Sequence, residues 1–325
     1  MALVDSHGRK INYLRLSVTD RCNLRCTYCM PAQGVAKLAC DDVLRYEELL
    51  ELAAAAVQVG IEKIRVTGGE PLVRKGLPAF LAQLARLPGL RQLVLTTNGV
   101  LLAEQATALR AAGVQRLNIS LDSLDATTFA SITRGGELAR VLAGIAAAEA
   151  AGFPIKINVV VMRGINDAEV ADFAALTLDR PMTVRFIEYM PAARANDYRT
   201  MLVPGEDVLA AIASRFPLEE SGRSELCGPA RNFRIKGAAG SIGLITPLSG
   251  HFCGDCNRIR VTSTGMARSC LFGTESVDLK PFLGSTGDGT LEQALRRLVD
   301  VKPAGHRLDE ANLKPEPFTM AAIGG

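Results

Sequence analysis

The sequence lacks a strong excess of either charge, since 37 lysines and arginines face 34 aspartates and glutamates and the formal net charge is +3. A balance this mild does not predict nucleic-acid binding, which depends on clustered basic residues. The chain also lacks any apolar run of the ~18–20 residues that a membrane span needs. Residues 1–10 run into the polar and charged segment 5–10 and show no secretory apolar segment. We therefore expect a soluble cytoplasmic protein whose partners include neither nucleic acid nor a membrane.

The apolar segments follow a repeating pattern of short strands and helices. Hydrophobic residues make up 48% of the chain, which is enough for a core of several layers. Strands that alternate with helices at this spacing indicate βαβ units in a parallel sheet. Six such units fit an incomplete (βα)6 TIM-like barrel or an open doubly wound sheet, and periodicity leaves both open. Strands are predicted over residues 11–18, 63–67, 92–97, 115–121, 155–162 and 183–187, and helices over 46–59, 77–87, 101–111, 138–151 and 167–178.

The pattern changes after about residue 200. A helix is predicted over 206–215 and a last helix over 291–299, and short strands are predicted over 232–236 and 258–263. Residues 219–224 are polar and typical of a turn. We therefore predict two regions, an α/β region over residues 1–220 and an α+β region over residues 221–325.

Eight cysteines need an explanation in a chain expected in the cytoplasm, where disulfides are disfavoured and clustered thiols more often bind metal. Cys40 and Cys227 stand alone, and we interpret them as small core residues. The other cysteines form two groups of three, called here the first triad and the second triad. The first triad is Cys22, Cys26 and Cys29, and the second triad is Cys253, Cys256 and Cys270.

The spacing within each triad favours an iron–sulfur cluster. The first triad has the pattern C-x3-C-x2-C just after the first predicted strand. Three thiolates on a tight loop can hold three irons of a cubane cluster and leave the fourth iron open. Structural zinc favours four ligands, and neither His7 nor Cys40 completes such a set. The second triad suggests another cubane, and a zinc knuckle completed by His251 or Cys227 is its alternative.

Polar and charged residues recur in the predicted strands and at their ends. The Gly-Gly-Glu sequence at 68–70 follows the second strand, at the end where barrel active sites collect. Asn98 and Asp122 are also typical of helix caps. Arg258 and Arg260 share one face of a strand because they are two residues apart. Charges inside strands are poorly placed unless they face a cavity. The other residues at such positions are Arg15, Arg65, Thr96, Thr97, Ser120, Lys156, Asn158, Arg185, Glu188 and Met190.

The first triad has an aromatic residue, Tyr28, directly before its third cysteine. Together with the Gly-Gly-Glu sequence, it resembles the signature of the radical S-adenosylmethionine superfamily. Further segments narrow the resemblance to the GTP 3′,8-cyclase family of molybdenum cofactor (molybdopterin) biosynthesis. These segments are residues 13–20, 64–71, 96–99, 118–125, 185–190 and 253–260, and the terminal Gly324-Gly325. The likeness spans nearly the whole chain.

The resemblance implies an incomplete barrel whose open side is covered by a C-terminal region that carries a second iron–sulfur cluster. It implies a lyase that uses two [4Fe–4S] clusters and S-adenosyl-L-methionine. A 5′-deoxyadenosyl radical would remove the ribose 3′-hydrogen of GTP, and the product would be (8S)-3′,8-cyclo-7,8-dihydroguanosine 5′-triphosphate. The resemblance also implies an electron donor and a downstream cyclic pyranopterin monophosphate synthase that receives the product. It is compatible with a homodimer.

The resemblance also assigns roles to individual residues. The two cysteine triads would bind the two clusters. Tyr28, Gly69, Ser120 and Met190 would contact S-adenosylmethionine. The residues expected to contact GTP are Arg15, Arg65, Thr96, Lys156, Arg258 and Arg260, and the catalytic residues expected among them are Arg15, Lys156, Arg258 and Arg260.

Two other functions fit parts of the sequence. Another radical S-adenosylmethionine enzyme with an auxiliary cluster, such as a peptide-modifying enzyme, usually has a longer cysteine-rich C-terminal region than this chain. A cluster-bearing electron carrier or a zinc-dependent nucleic-acid module would not explain the polar strand ends, and the latter needs a basic patch. We therefore expect the GTP cyclase activity.

Overall fold

A computed structural model describes residues 2–35, 38–190, 198–222, 228–273, 275–284, 290–306 and 320–323. Cys227 and the Gly324-Gly325 end, both considered above, lie outside these residues. In the described part, the strands are β1 Tyr13–Ser17, β2 Lys63–Thr67, β3 Gln92–Thr97, β4 Arg116–Ser120, β5 Ile155–Val161, β6 Thr183–Glu188, β7 Leu218–Ser221, β8 Arg231–Ile235, β9 Ser241–Ile245, β10 Arg258–Val261, β11 Met266–Arg268 and β12 Val277–Asp278.

Helices lie between the strands and at the chain's C-terminal side. Most of them begin and end close to the predicted positions, but the predicted helix over 167–178 is a 3₁₀ turn, Asp167–Glu169, followed by a short helix. In the described residues, the helices are α1 Tyr46–Gln58, α2 Leu77–Leu84, α3 Leu102–Ala111, α4 Ala126–Thr133, α5 Leu138–Ala150, α6 Val170–Ala175, α7 Tyr198–Met201, α8 Gly205–Ala213, α9 Thr290–Asp300 and α10 Met320–Ile323.

Helix α4 was not predicted, because its threonine- and serine-rich sequence has weak helix propensity. Its ends explain its presence. The Asp125 carboxylate accepts a hydrogen bond from the Thr128 amide at 2.8 Å and caps the first turn. Arg134 ends the helix in the left-handed region at φ 57°. Capping and packing of the buried Phe129 and Ile132 therefore outweigh the propensity.

The strands form one sheet in the order β12-β11-β10-β1-β2-β3-β4-β5-β6-β9-β8-β7. The six strands predicted for the barrel lie side by side in sequence order, and neighbours among them are parallel. The sheet ends at β12 and β7, so the barrel is incomplete, as predicted. The likeness to a TIM barrel is therefore confirmed, and the open doubly wound sheet is not the fold.

The C-terminal region joins this sheet at both sides. Strand β10 pairs parallel with β1, and β9 pairs parallel with β6, so two C-terminal strands continue the barrel. Strand β7 spans residue 220, and the division into regions 1–220 and 221–325 stays a prediction. Helix α9 packs against α1 on the outside of the sheet. The expected cover over the open side is thus connected to the barrel by backbone hydrogen bonds.

Alternation along the strands separates the core from the interior of the barrel. In β1, Leu14 and Leu16 are fully buried in the hydrophobic core between sheet and helices. Tyr13 and Arg15 lie on the opposite face and line a cavity. The same alternation in β2 buries Ile64 in the core. One face of the sheet therefore stabilises the fold and the other carries polar groups.

Candidate active site

A cavity of about 270 Å³ lies inside the barrel and is lined by both cysteine triads. The first triad follows the C-terminal end of β1. Cys256 precedes β10, which runs parallel to β1, and Cys270 follows β11, which is antiparallel to β10. The two triads therefore lie toward opposite ends of the strands, and a strand of four to five residues spans roughly 15 Å. The barrel interior between them has room for a small substrate.

The three thiols of the first triad form no disulfide and are half-buried on one tight loop. The amides of Cys29 and Met30 both donate to the Cys26 carbonyl, at 3.0 and 3.2 Å, which closes the loop. Burial raises the pKa of Cys26 well above its ordinary value, and the nearby Asp122 and the other thiols raise it further. Thiolates gathered in this way need a bound cation. The donor set therefore fits a metal cluster.

The Gly-Gly-Glu sequence at 68–70 fixes this loop to the end of β2. The Gly69 amide donates to Thr19 O at 2.8 Å, and the Glu70 amide donates to Arg21 O at 2.8 Å. A Cβ at Gly69 would lie 2.5 Å from Arg21 O, so only glycine allows this approach. The loop and the strand end are therefore held in one arrangement.

The Glu70 side chain is buried and connects the ends of β2 and β3. Its carboxylate accepts hydrogen bonds from the Thr97 hydroxyl at 2.8 Å and from the Asn98 amide at 2.6 Å. Burial raises the pKa of Glu70 to about 7, and these hydrogen bonds oppose the rise. The Asn98 side chain in turn lies 3.9 Å from the sulfur of Cys22. Thr97 and Asn98, at the end of β3, thus support the first triad.

The four residues expected to contact S-adenosylmethionine all line the cavity. They are Tyr28, Gly69, Ser120 and Met190. The Tyr28 hydroxyl donates to the Asp122 carboxylate at 2.8 Å, and the same carboxylate accepts the Val160 amide at 2.8 Å. Burial raises the pKa of Asp122 to about 6. The sequence identified Asp122 only as a strand-end residue, and its contact with Tyr28 is a result of the tertiary structure.

Five of the six residues expected to contact GTP line the same cavity: Arg15, Arg65, Thr96, Arg258 and Arg260. Arg15 and Arg260 are register partners on β1 and β10, so their side chains are neighbours. Burial and the neighbouring Arg260 and Arg65 lower the pKa of Arg15 well below its ordinary value. The pKa of Arg260 falls to about 10, because of burial and then of Arg258. The wall is therefore strongly cationic.

Several polar atoms of this wall have no partner. The Nε atoms of Arg15, Arg65 and Arg185 are buried without a hydrogen bond, and so is the Thr96 hydroxyl. Leaving such groups unsatisfied costs free energy, and a bound anion would satisfy them. Arg185, which sequence reasoning placed at a strand end without a role, belongs to this group.

Lys156, the sixth expected GTP residue, is not among the described residues that line the cavity. It lies on β5 opposite Asn118 and Thr183, one step below the cavity-lining Asn158. Its pKa falls to about 6, because of burial and then because of Arg185 and other cations. Lys156 therefore lies below the cavity wall, where burial and the surrounding cations disfavour its protonated form and a bound anion would favour it.

The second triad is built from a 3₁₀ turn, Cys253–Asp255, and the end of β11. The Cys256 amide donates to Cys253 O at 3.1 Å. Burial acts to raise the pKa of Cys256, but the charges of Arg258 and Lys302 outweigh it and lower the pKa to about 6. A thiol that ionises this readily is suited to bind metal.

The zinc alternative for the second triad involves the histidines near Cys253. The ligand atoms of His251, Cys253 and His306 lie within 4.8 Å of one another, and this group uses only one thiol of the triad. All three thiols of the triad line the central cavity. A cluster bound by three cysteines accounts for all of them. The described group around His251 contains Cys253 and His306 but not Cys256 or Cys270, so it is not the predicted zinc knuckle in which His251 completes the three thiols.

Comparisons with known proteins agree with this geometry. The family described as "Radical SAM superfamily" matches residues 16–177, and "Molybdenum Cofactor Synthesis C" matches residues 182–308. The GTP 3′,8-cyclase of Geobacter sulfurreducens is 64% identical over 326 residues and covers 100% of both chains. That of Moorella thermoacetica is 46% identical and covers 99% of both chains.

Solved structures show the same fold at low sequence identity. Streptococcus suis SuiB bound to S-adenosylmethionine has a TM-score of 0.63 at 14% identity, covering 96% of this chain and 77% of SuiB. In the described part of the chain, no helix is long and apolar enough to cross a membrane. Family models match most of the chain, and full-length relatives share its sequence. The chain belongs to the GTP 3′,8-cyclase family of radical S-adenosylmethionine enzymes, which use S-adenosylmethionine and iron–sulfur clusters in molybdenum cofactor synthesis.

Proposed function

We propose that this enzyme converts GTP to (8S)-3′,8-cyclo-7,8-dihydroguanosine 5′-triphosphate, the first step of molybdenum cofactor synthesis. The observation that carries the proposal is the set of buried Nε atoms of Arg15, Arg65 and Arg185 that have no hydrogen-bond partner in the cavity between the two triads. A triphosphate is the kind of anion that several fixed guanidinium groups bind well, through charge-assisted hydrogen bonds. The full-length relatives with the GTP 3′,8-cyclase name support this substrate.

Each triad is assigned one [4Fe–4S] cluster. The half-buried thiols of Cys22, Cys26 and Cys29 hold the first cluster, and those of Cys253, Cys256 and Cys270 hold the second. When bound, the first cluster and S-adenosylmethionine supply the 5′-deoxyadenosyl radical that removes a ribose hydrogen from GTP. The chain's own contribution is to orient both molecules and to exclude water.

The cavity wall near the first triad binds S-adenosylmethionine in this proposal. Tyr28 is held by Asp122, so its ring has a fixed position beside the cysteine loop. Gly69 offers backbone without a side chain at the end of β2. Ser120 and Met190 contribute from the ends of β4 and β6. Several strand ends thus meet around one cofactor, which is the usual arrangement in a barrel enzyme.

The arginine-rich wall binds GTP. Arg15, Arg258 and Arg260 come from adjacent strands and contact the substrate directly, as catalytic residues. Arg65 and Thr96 complete the wall from β2 and β3. Lys156 lies below this wall, and binding of the triphosphate favours its protonated form, which burial and the neighbouring cations disfavour in the free enzyme. Burial strengthens each of these interactions because little water screens them.

The remaining partners follow from the reaction. An external electron donor supplies the electron that S-adenosylmethionine cleavage requires, and a cyclic pyranopterin monophosphate synthase receives the product. The enzyme works in the cytoplasm, where GTP is available, and a homodimer is an assembly compatible with the fold. Regions 1–220 and 221–325 serve as the radical barrel and the substrate-binding region.

Substitution of Arg258 and Arg260, two residues apart on β10, tests the proposal. Arg258→Ala and Arg260→Ala each remove a charge-assisted hydrogen bond, worth about 1.5–3 kcal/mol, and should lower the yield of cyclised product roughly tenfold or more. Cleavage of S-adenosylmethionine to 5′-deoxyadenosine and the iron content should persist. Arg234→Ala, at an exposed position on β8, is the matched control.

Two results would contradict the proposal. One is unchanged cyclised product in both cavity variants, since these arginines would then not bind substrate. The other is 5′-deoxyadenosine formation by a Cys22→Ala variant at the parent rate, which would remove the first triad from the reaction.

A further inference from the structure

The segment over residues 302–306 follows α9 and contacts the loops of the second triad. Arg9 donates to Pro303 O at 2.7 Å, to Ala304 O at 3.0 Å and to Cys253 O at 2.7 Å. The His306 amide forms a hydrogen bond with Cys253. The segment therefore lies directly against the cluster-binding loops, although it is 32 residues from Cys270 in the sequence.

Lys302 begins this segment, and its side chain is 3% exposed. Its ammonium group donates to Arg258 O at 3.0 Å and to Ser269 O. These carbonyls flank the triad, since Arg258 is two residues after Cys256 and Ser269 directly precedes Cys270. The ammonium also acts on the Cys256 and Cys270 sulfurs through its charge, and it forms a hydrogen bond with Cys256. One side chain therefore ties together two of the three ligand loops.

A buried ammonium group needs an opposite charge. Within the described residues, no carboxylate lies at ion-pair distance from Lys302. The groups of opposite charge that act on it are the sulfurs of Cys256 and Cys270 in their thiolate form. The charge of Lys302 is therefore matched by the metal-binding sulfurs themselves.

We propose that Lys302 is a positioning residue of the second triad and the counter-charge that raises the reduction potential of the cluster held there. The proposal rests on the cluster assignment made under the proposed function. Reduction makes a thiolate-bound cubane more negative, and a buried cation in contact with its ligands stabilises the reduced state. Removal of the cation makes the cluster harder to reduce.

The test uses the full chain with Cys22, Cys26 and Cys29 replaced by Ala, so that only the second triad holds iron. In this background Lys302→Met removes the charge, Lys302→Arg keeps it, and Lys236→Met removes an exposed lysine as the control. The measurements are iron per chain and a redox titration followed by electron paramagnetic resonance.

At a fixed solution potential, we expect the ratio of reduced to oxidised cluster in Lys302→Met to fall at least tenfold. This corresponds to a reduction potential lower by about 59 mV for a one-electron couple. Lys302→Arg and Lys236→Met should stay close to the parent. An unchanged ratio in Lys302→Met with full iron content would overturn the proposal. If Lys302→Met loses its iron, retention of iron by Lys302→Arg supports the role of the charge, and equal loss in both overturns it.

The same experiment separates this proposal from the cluster assignment. A parent that holds about four irons in the second triad confirms the assignment whatever Lys302 does. A parent that holds zinc in place of iron overturns the assignment, and the Lys302 proposal with it.

Discussion

Arg185→Met should stabilise the ligand-free enzyme and weaken its binding of GTP. Arg185 lies on β6, is 8% exposed, and has a buried Nε without a partner. Its neighbour on β9 is Gly243, where a Cβ would lie 3.3 Å from Cγ of Arg185, so the glycine leaves room for the base of this side chain. Methionine is similar in length, and it removes the charge while filling much of the same space.

The pKa of Arg185 gives the size of the stabilisation expected from this substitution. Burial, followed by the charge of Arg65, lowers this pKa from its ordinary value to about 9. At about 1.4 kcal/mol per pKa unit, this drop costs the charged folded state on the order of 5 kcal/mol. The cost is fully present below pH 9 and shrinks as the pH rises above that value, because the folded protein loses this proton before the unfolded chain does. Near pH 7.5 the substitution should recover about 1–4 kcal/mol of stability, as found when buried charges are replaced by apolar side chains.

Bound GTP should favour the parent enzyme over the Arg185→Met variant. The lost hydrogen bond should weaken GTP binding about tenfold, which is about 1.4 kcal/mol less stabilisation at a saturating GTP concentration. The assay is anaerobic thermal unfolding of the parent, Arg185→Met and Arg180→Met, each with and without GTP. Arg180 forms an exposed ion pair with Glu149, so its removal should change little. A ligand-free Arg185→Met that melts below the parent, with an unchanged GTP shift, would refute the reasoning.

Two further predictions concern the clusters. Replacement of Cys253, Cys256 and Cys270 by Ala should lower the iron content from about eight to about four per chain. Cleavage of S-adenosylmethionine, measured as 5′-deoxyadenosine formation, should be preserved. A variant that keeps all its iron would contradict the two-cluster assignment. Gly69→Ala places a Cβ 2.5 Å from Arg21 O and should displace the first-triad loop, with roughly half of the iron lost. Gly222→Ala, where a Cβ has no neighbour within 4 Å, should retain its iron, and equal iron in the two glycine variants would argue against this role of Gly69.

The strands and the first triad could be predicted because their signals are local. Alternating apolar residues identify a strand within a few positions, and the spacing of Cys22, Cys26 and Cys29 lies within one loop. Glycine at position 69 is also a local signal, although its reason, the approach of the Arg21 carbonyl, is a contact between two chain segments. Helix α4 was missed because caps and packing, rather than propensity, hold it in place.

The sequence by itself therefore determined the class of fold and the family of the chemistry, and it identified the two groups of thiols that we propose as cluster ligands. Only the tertiary structure decided which remote segments meet. Strand β10 pairs with β1 across more than 200 residues, and this pairing brings Arg260 beside Arg15. The contacts of Asp122 with Tyr28 and of Lys302 with the second triad arise in the same way. Such contacts leave no periodic signal in the chain. They depend on the register between paired strands and on the packing of helices and loops, and the separation of two segments along the sequence does not show whether they meet.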